Sequence, residues 1–271
     1  MRITLRDRSA KEVNFLFLLM PLIERFTRPL VDTAAMSMIS IKNLQKKFGR
    51  KAVINNLDLE VEKGEFLVMF GPNGAGKTTL IKILSTLSKP TSGEVLINGH
   101  EIREEPIELR SSIGVLSHNP CLYDDLTLKE NLVFFSRMYG IKKDENVIRG
   151  LMEGVGLLHR MNDRIGEFSR GMKQRAAVAR ILVHDPPVML LDEPYTGLDF
   201  KAWNILTDML MRFHKEGKTI FLITHNVELG YRIGERLTIL VNGEIAFDCR
   251  KKDVGMEAFK EEYQNLMEAQ K

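Results

Sequence analysis

The hydrophobic positions change period several times along the chain, and each change marks an element. Residues 39–44 and 53–61 alternate apolar with polar, which predicts two half-buried strands. Residues 66–70, 188–191 and 219–224 are continuous apolar runs of strand length. Such runs predict strands covered on both faces, as in a parallel sheet. Residues 94–98 and 113–117 predict two further short strands, and 236–241 with 244–247 a hairpin about Asn242-Gly243. Helical signals alternate with these. Leu80-Ile81-Lys82-Ile83-Leu84 predicts first turns after a glycine-rich break. Thr127 with Glu130 three residues on predicts a boxed helix start, and Leu132, Phe135, Met138 and Tyr139 space as one face of that helix. Residues 147–155, the run from Ser169 through Leu182, and the segment after Asp199 predict three more helices. The charged stretch 256–271 predicts a solvated one. The fold class is α/β. The strand-poor stretch after Asn119 predicts a helical insertion.

Residues 1–37 stand apart. Positions 13–23 are apolar, flanked by basic residues and broken by Pro21. A signal peptide looks somewhat like this. An amphipathic surface segment and an upstream extension, with the working protein starting near Met36 or Met38, fit as well. The expected division is therefore an extension over 1–37, a main domain over 38–250 with a helical lobe at about 119–170, and a C-terminal helix over 251–271.

Composition narrows the classes. With 271 residues, 44% hydrophobic and 28% charged, the chain has enough apolar material for one large α/β domain or two small ones. Net charge is +3, and six Lys/Arg against four Asp/Glu in residues 1–37 account for most of it. The near-neutral remainder gives no electrostatic case for a nucleic-acid partner. Cys121 and Cys249 match no metal spacing and fit a reduced compartment. No apolar run reaches the ~18–20 residues that span a bilayer.

The candidate chemistry sits where apolar strands end. Gly71-Pro72-Asn73-Gly74-Ala75-Gly76-Lys77-Thr78-Thr79 lies between the 66–70 run and a helix start. Strand, glycine turn and helix make a G-x-x-x-x-G-K-[ST] match a phosphate cradle. The glycines let successive N–H groups point inward, and the helix N-terminus adds unpaired donors. Lys77 then brings charge to the outer phosphates, and the Thr78 hydroxyl can ligate Mg²⁺. Asp192 follows four apolar residues and can hold the same cation; Glu193 can polarise an attacking water as general base. Helix capping is the plainer role for that acidic pair. His225 ends the 219–224 run at the same sheet edge, as a structural histidine or as a γ-phosphate contact.

In these motifs the sequence resembles the ATP-binding cassette (ABC) ATPases over about 38–248. Gly71 to Thr78 matches the family's Walker A loop, Asp192 with Glu193 its Walker B end, and Gly197-Leu198-Asp199 its D-loop. Thr224-His225 matches the switch histidine, and Phe168-Ser169-Arg170-Gly171-Met172-Lys173-Gln174-Arg175 resembles the signature. The resemblance implies a P-loop NTPase of ABC type: a mostly parallel sheet with an antiparallel β subdomain and a helical insertion subdomain. It implies hydrolysis of ATP with Mg²⁺ in a head-to-tail homodimer. There Ser169, Arg170 and Gly171 of one copy close over the phosphate loop of the other. It also implies a separate integral membrane permease and a peripheral place on the cytoplasmic face of the inner membrane. Phe48 matches the aromatic that stacks on adenine, with a core phenylalanine as the competing role. Two positions depart from the family: Arg170 and Met172 replace a glycine and the glutamine of the signature, and His118 stands where most cassettes carry a glutamine. An imidazole is a poor ligand for a hard cation, so His118 is expected to work by hydrogen bonding. The Val115-Leu116-Ser117-His118-Asn119 stretch, with the segment through Leu132, is similar to the ATP-binding subunit of the haem exporter of cytochrome c maturation. That similarity implies haem as cargo. Drug and polysaccharide efflux cassettes and a soluble assembly ATPase are the alternatives.

Overall fold

The computed structural model describes residues 37–104, 107–117 and 119–269. The alternating segments become Ser37–Phe48 (β1) and Lys51–Glu62 (β2), an antiparallel ribbon. Through β1 this ribbon joins Ser92–Ile97 (β4) and the short His100–Glu101 (β5) in a sheet ordered β2-β1-β4-β5. The continuous apolar runs become Phe66–Phe70 (β3), Val188–Asp192 (β7) and Thr219–Ile223 (β8). With Ile113–Leu116 (β6), Arg236–Val241 (β9) and Glu244–Arg250 (β10) they form a second sheet, β10-β9-β3-β8-β7-β6. Every pairing here is parallel except β9 with β10. Asn242 (φ 49°) and Gly243 (φ 82°) turn the β9–β10 hairpin, both in the left-handed region that a tight two-residue turn requires.

Because strand side chains alternate, the parallel sheet feeds two cores. Phe66, Val68 and Phe70 face one side with Met189, Leu191, Ile220 and Leu222. Leu67 and Met69 face the other with Val188, Leu190, Phe221 and Ile223. The second core includes Leu80, Ile81, Ile83 and Leu84 of Lys77–Leu84 (α1) and the inner face of the antiparallel sheet. The first core takes in the helices Leu128–Met138 (α3), Glu145–Gly154 (α4), Arg170–Leu182 (α5) and Phe200–Lys215 (α6). Between β6 and β7 the chain runs through α3, α4, two 3₁₀ turns and α5. Thr127↔Arg164 is the isolated strand bridge there. Ile107–Ser111 (α2) and Val227–Ile233 (α7) are short helices without a periodic signal.

Two expectations need correction. The α3 cap is as expected: the Thr127 hydroxyl accepts from the Glu130 N–H and the Glu130 carboxylate from the Thr127 N–H, a box worth about 1 kcal/mol. The buried face of α3, however, is Leu128, Asn131, Leu132 and Ser136, while Met138 and Tyr139 are exposed. Asn131 causes the rotation. Its side chain accepts from the Tyr123 N–H and donates to the Tyr123, Leu126 and Thr127 carbonyls, so a polar residue sits at a core position. The second correction concerns the terminal helix, Met256–Glu268 (α8). Its Phe259 is fully buried, with ring centroids 5.1 Å from Phe70 and 5.8 Å from Phe247. Tyr263, Leu266 and Met267 extend the docked stripe at helical spacing. The 1–37 extension falls outside the described residues up to Met36, as does His118.

Candidate functional site: a phosphate loop at the carboxyl edge of the sheet

The loop after β3 takes its shape from backbone conformations that side chains resist. Gly71, Gly74 and Gly76 have φ of 145°, 84° and 108°. Gly76 also lies where a Cβ would come within 2.7 Å of the Val53 carbonyl oxygen. The Gly243 N–H donates to the Ala75 carbonyl at 3.0 Å, so the β9–β10 turn braces the loop from behind. The Lys77 Nζ donates to the carbonyls of Gly71 (2.7 Å) and Pro72 (2.9 Å), across the loop it closes. Burial lowers the Lys77 pKa, and the carboxylates of Glu193 and then Asp192 oppose that shift. The lysine therefore lies in the field of both acids. Asn73, Gly74 and Thr78 are exposed, Pro72 and Thr79 half-buried, and Ala75 buried.

Asp192 closes β7 in register with Ile223 and is buried. Glu193 then turns sharply: its φ is 49°, a left-handed value that costs a non-glycine residue about 1–3 kcal/mol. That turn sends the two carboxylates different ways. The Glu193 Oε2 lies 2.9 Å from the Nδ1 of His225. This contact turns the Nδ1 edge of the ring toward the carboxylate and the Nε2 edge away from it. His225 is pinned on both flanks. The Asn226 N–H donates to the Thr224 hydroxyl, and Asn226 caps α7 by accepting from the Leu229 N–H. Thr78 and Asp192 offer hard oxygen donors, which suits Mg²⁺. Among the described residues no group of three or more His, Cys, Asp or Glu is arranged to hold a metal ion by itself. A cation here would draw its remaining ligands from phosphate and water, as Mg²⁺ commonly does.

Lys77, Asp192, Glu193 and His225 thus converge on one edge of the parallel sheet, where ligands of open α/β sheets sit. Ser169, Arg170 and Gly171 do not join them. Ser169 is exposed and caps α5, accepting from the Met172 N–H at 3.3 Å. The Arg170 guanidinium lies within 2.6 Å of where a Gly197 side chain would begin. A Cβ on Gly171 would meet Ala202 at 2.6 Å. The start of α5 is therefore packed against the Gly197–Ala202 turn, where Asp199 caps α6 through the Ala202 N–H at 2.7 Å. Phe48 ends β1 at 55% exposure, so it is not a core residue. The Lys46 Nζ lies 4.8 Å from its ring centroid, a contact the motifs do not name. The i, i+2 spacing on a strand carries that signal, since it puts both side chains on one face.

A two-layered P-loop α/β fold with this edge defines a nucleotide-binding cassette, and comparison with known proteins narrows it. The pattern of the ABC transporter family matches residues 54–196. The ABC transporter ATP-binding protein NatA of Bacillus subtilis is 36% identical over 217 residues, covering 78% of this chain and 88% of that protein. A Nod factor export ATP-binding protein I of Burkholderia lata is 37% identical over 207 residues, covering 76% and 68%. The linearmycin resistance ATP-binding protein LnrL of Bacillus subtilis is 32% identical over 219 residues, covering 80% and 70%. Among solved structures, an ATP-binding subunit of an ABC transporter superposes with a TM-score of 0.77 at 28% identity, over 85% of this chain and all of that one. A dimeric cassette in a post-hydrolysis state with ADP and Pi gives 0.71 at 29% identity, over 79% and 99%. The chain belongs to the ABC transporter family and is an ATP-hydrolysing, ATP-binding subunit.

Proposed function

We propose that this chain is the motor of an exporter whose membrane-spanning part is a separate chain. The observation that carries the chemistry is the Glu193–His225 contact above the Lys77 loop. In this reading the loop N–H groups and Lys77 hold the ATP phosphates, and Phe48 supplies a face for adenine. Thr78 and Asp192 hold Mg²⁺, which screens the phosphate charge. Glu193 takes the proton of the attacking water, and His225 keeps the carboxylate in place and faces the γ-phosphate. Asp199 holds the start of α6 against the start of α5. The Ser169–Gly171 helix start, exposed and without phosphate in its own chain, closes over the loop of a second copy.

The helical lobe over 119–170 is the proposed coupling element. A groove of about 320 Å³ lies between the end of α1 and that lobe, lined by Ser85, Thr86, Leu87, Arg110 and Tyr139. Leu87 is 76% exposed beside it, a fitting seat for a permease helix. No helix among the described residues is long and apolar enough to cross a membrane. ATP supply favours the cytoplasmic face of the inner membrane, with the subunit held there peripherally by the permease. Two of the named relatives carry Nod factor export and linearmycin resistance in their names, which favours the efflux alternative for the cargo. The haem reading keeps the short segment around His118 as its support.

Glu193→Gln tests the chemistry. Loss of a general base costs about 10²–10⁴ in rate. The variant should bind ATP as the parent does, turn over at least about 100-fold more slowly, and accumulate as an ATP-dependent dimer. Hydrolysis at the parental rate would assign the base elsewhere.

A further inference from the structure

The end of α5 and the bend just after it carry two residues, four apart in sequence, that perform the same task. Arg180 donates through Nη2 to the Val115 carbonyl at 2.8 Å, and its guanidinium lies over the Phe135 ring at 5.3 Å. His184 bonds through Nε2 to the Ile113 carbonyl at 3.0 Å. Its ring stacks on Tyr139 at 3.9 Å with planes 15° apart. Each is thus a rung from α5 to strand β6 on one side and to helix α3 on the other. The spacings match. Four residues of helix advance about 6 Å, and two residues of strand about 6.6 Å. Arg180 and Phe135 lie inside their helices and His184 and Tyr139 just past the ends, so the pairs 180/184, 135/139 and 113/115 run roughly in step. Gly114 lies between the two carbonyls, where a Cβ would strike Ile181 at 2.2 Å.

The rungs are built at a cost. The Arg180 Nε and the His184 Nδ1 are buried without a protein partner. Apolar side chains would spare those two nitrogens but would strip the Val115 and Ile113 carbonyls of the partners they have here. Directional groups fix register, which greasy packing does less well. The helix they hold starts at Ser169, about 16 Å away along α5. The strand they hold runs into Ser117 and residue 118.

We propose that Arg180 and His184 are positioning residues. They lock the first helix of the insertion, the strand leading to residue 118 and the signature helix into one register. They thereby set where Ser169 is presented to a second copy's nucleotide. The inference rests on the trans role of Ser169 given above. It assigns no contact between these residues and ATP, so nucleotide uptake by the chain's own loop should not depend on them.

Arg180→Gln, Phe135→Leu and the double variant test this in the full chain by steady-state ATPase assays and ADP titration. Each single change should lower kcat about 10- to 100-fold, the range a misplaced reacting geometry produces, with the ADP Kd within about twofold of the parent. The double variant should be no worse than the poorer single, since both break one rung. Tyr139→Phe should keep kcat and Tyr139→Ala lose it. Arg180→Lys, which keeps charge but not the planar stack, repeats the test if the glutamine variant does not fold. Unchanged kcat, a parallel loss of ADP binding, or losses that multiply in the double variant would overturn the proposal. Ser169→Arg separates the two ideas. If it hydrolyses ATP normally, the trans reading fails whatever the rungs do.

Discussion

Glycine at two positions of the phosphate loop answers to different physics, and substitution should separate them. Gly74 has φ 84° with nothing within 4 Å of where a side chain would begin, so Gly74→Ala meets backbone strain alone. Gly76 adds a clash with the Val53 carbonyl, an atom fixed in β2. Gly74→Ala should cost about 1–3 kcal/mol of stability and keep ATP binding. Gly76→Ala should cost more and abolish binding, as read by calorimetric titration and thermal unfolding. Equal effects would mean that β2 yields. His184 offers a test by pH. Burial, with help from Arg180 and Lys218, holds its pKa below 6.5, against its carbonyl bond and Asp185. The unfolded chain then takes up this proton at higher pH than the folded chain does. Stability is full above about 6.5, falls as pH drops from there toward the folded value, and levels off below it. His184→Gln has no proton to gain, and its unfolding profile should lack that part of the slope. An unchanged slope would place the titration elsewhere.

Continuously buried strands and the alternating strands β1 and β2 were both legible from sequence; the buried faces of α3 and α8 were not. β3, β7 and β8 are apolar at nearly every position because both faces are covered, so the runs reveal the strands and the polar residues after them reveal the site. α3 misled because Asn131 fills a core position with a hydrogen-bonding side chain, and hydrophobicity alone cannot register that. α8 misled because glutamates and lysines outnumber its docked residues. Yet Phe259 meets Phe70, the residue immediately before the phosphate loop, at 5.1 Å. Phe259→Ala should therefore cost about 3–5 kcal/mol, the usual range for a deleted core ring, and it should weaken ATP binding as the support behind Phe70 slackens. Denaturant unfolding and nucleotide titration of one sample check both. A helix serving as a solvated tail would leave both unchanged. Phe48 shows the reverse case: its exposure came from ending a strand, which alternation does not report.

At the scale of the whole molecule, the residues of the site lie at two separate places. Lys77, Asp192, Glu193 and His225 gather over the loop after β3, and Ser169 with Arg170 lies against the Gly197 turn. Sequence motifs named both sets, and the family resemblance already implied their separation; the packing of α5 on α6 shows how one chain keeps them apart. On the proposed reading a single chain presents half of a site twice over, and a two-fold pair would complete both halves. Mixing tests this without any membrane partner. Lys77→Ala has a dead loop and an intact Ser169 helix; Ser169→Arg has the opposite. Each alone forms pairs with no working site. In an equal mixture half the pairs are mixed, and each mixed pair joins one intact loop to one intact helix start. Activity should therefore rise from near zero to about a quarter of the parental rate, by the statistics of a symmetric dimer. It should also depend on total protein concentration. A mixture no more active than its components would mean that the Ser169 helix never reaches a neighbouring nucleotide.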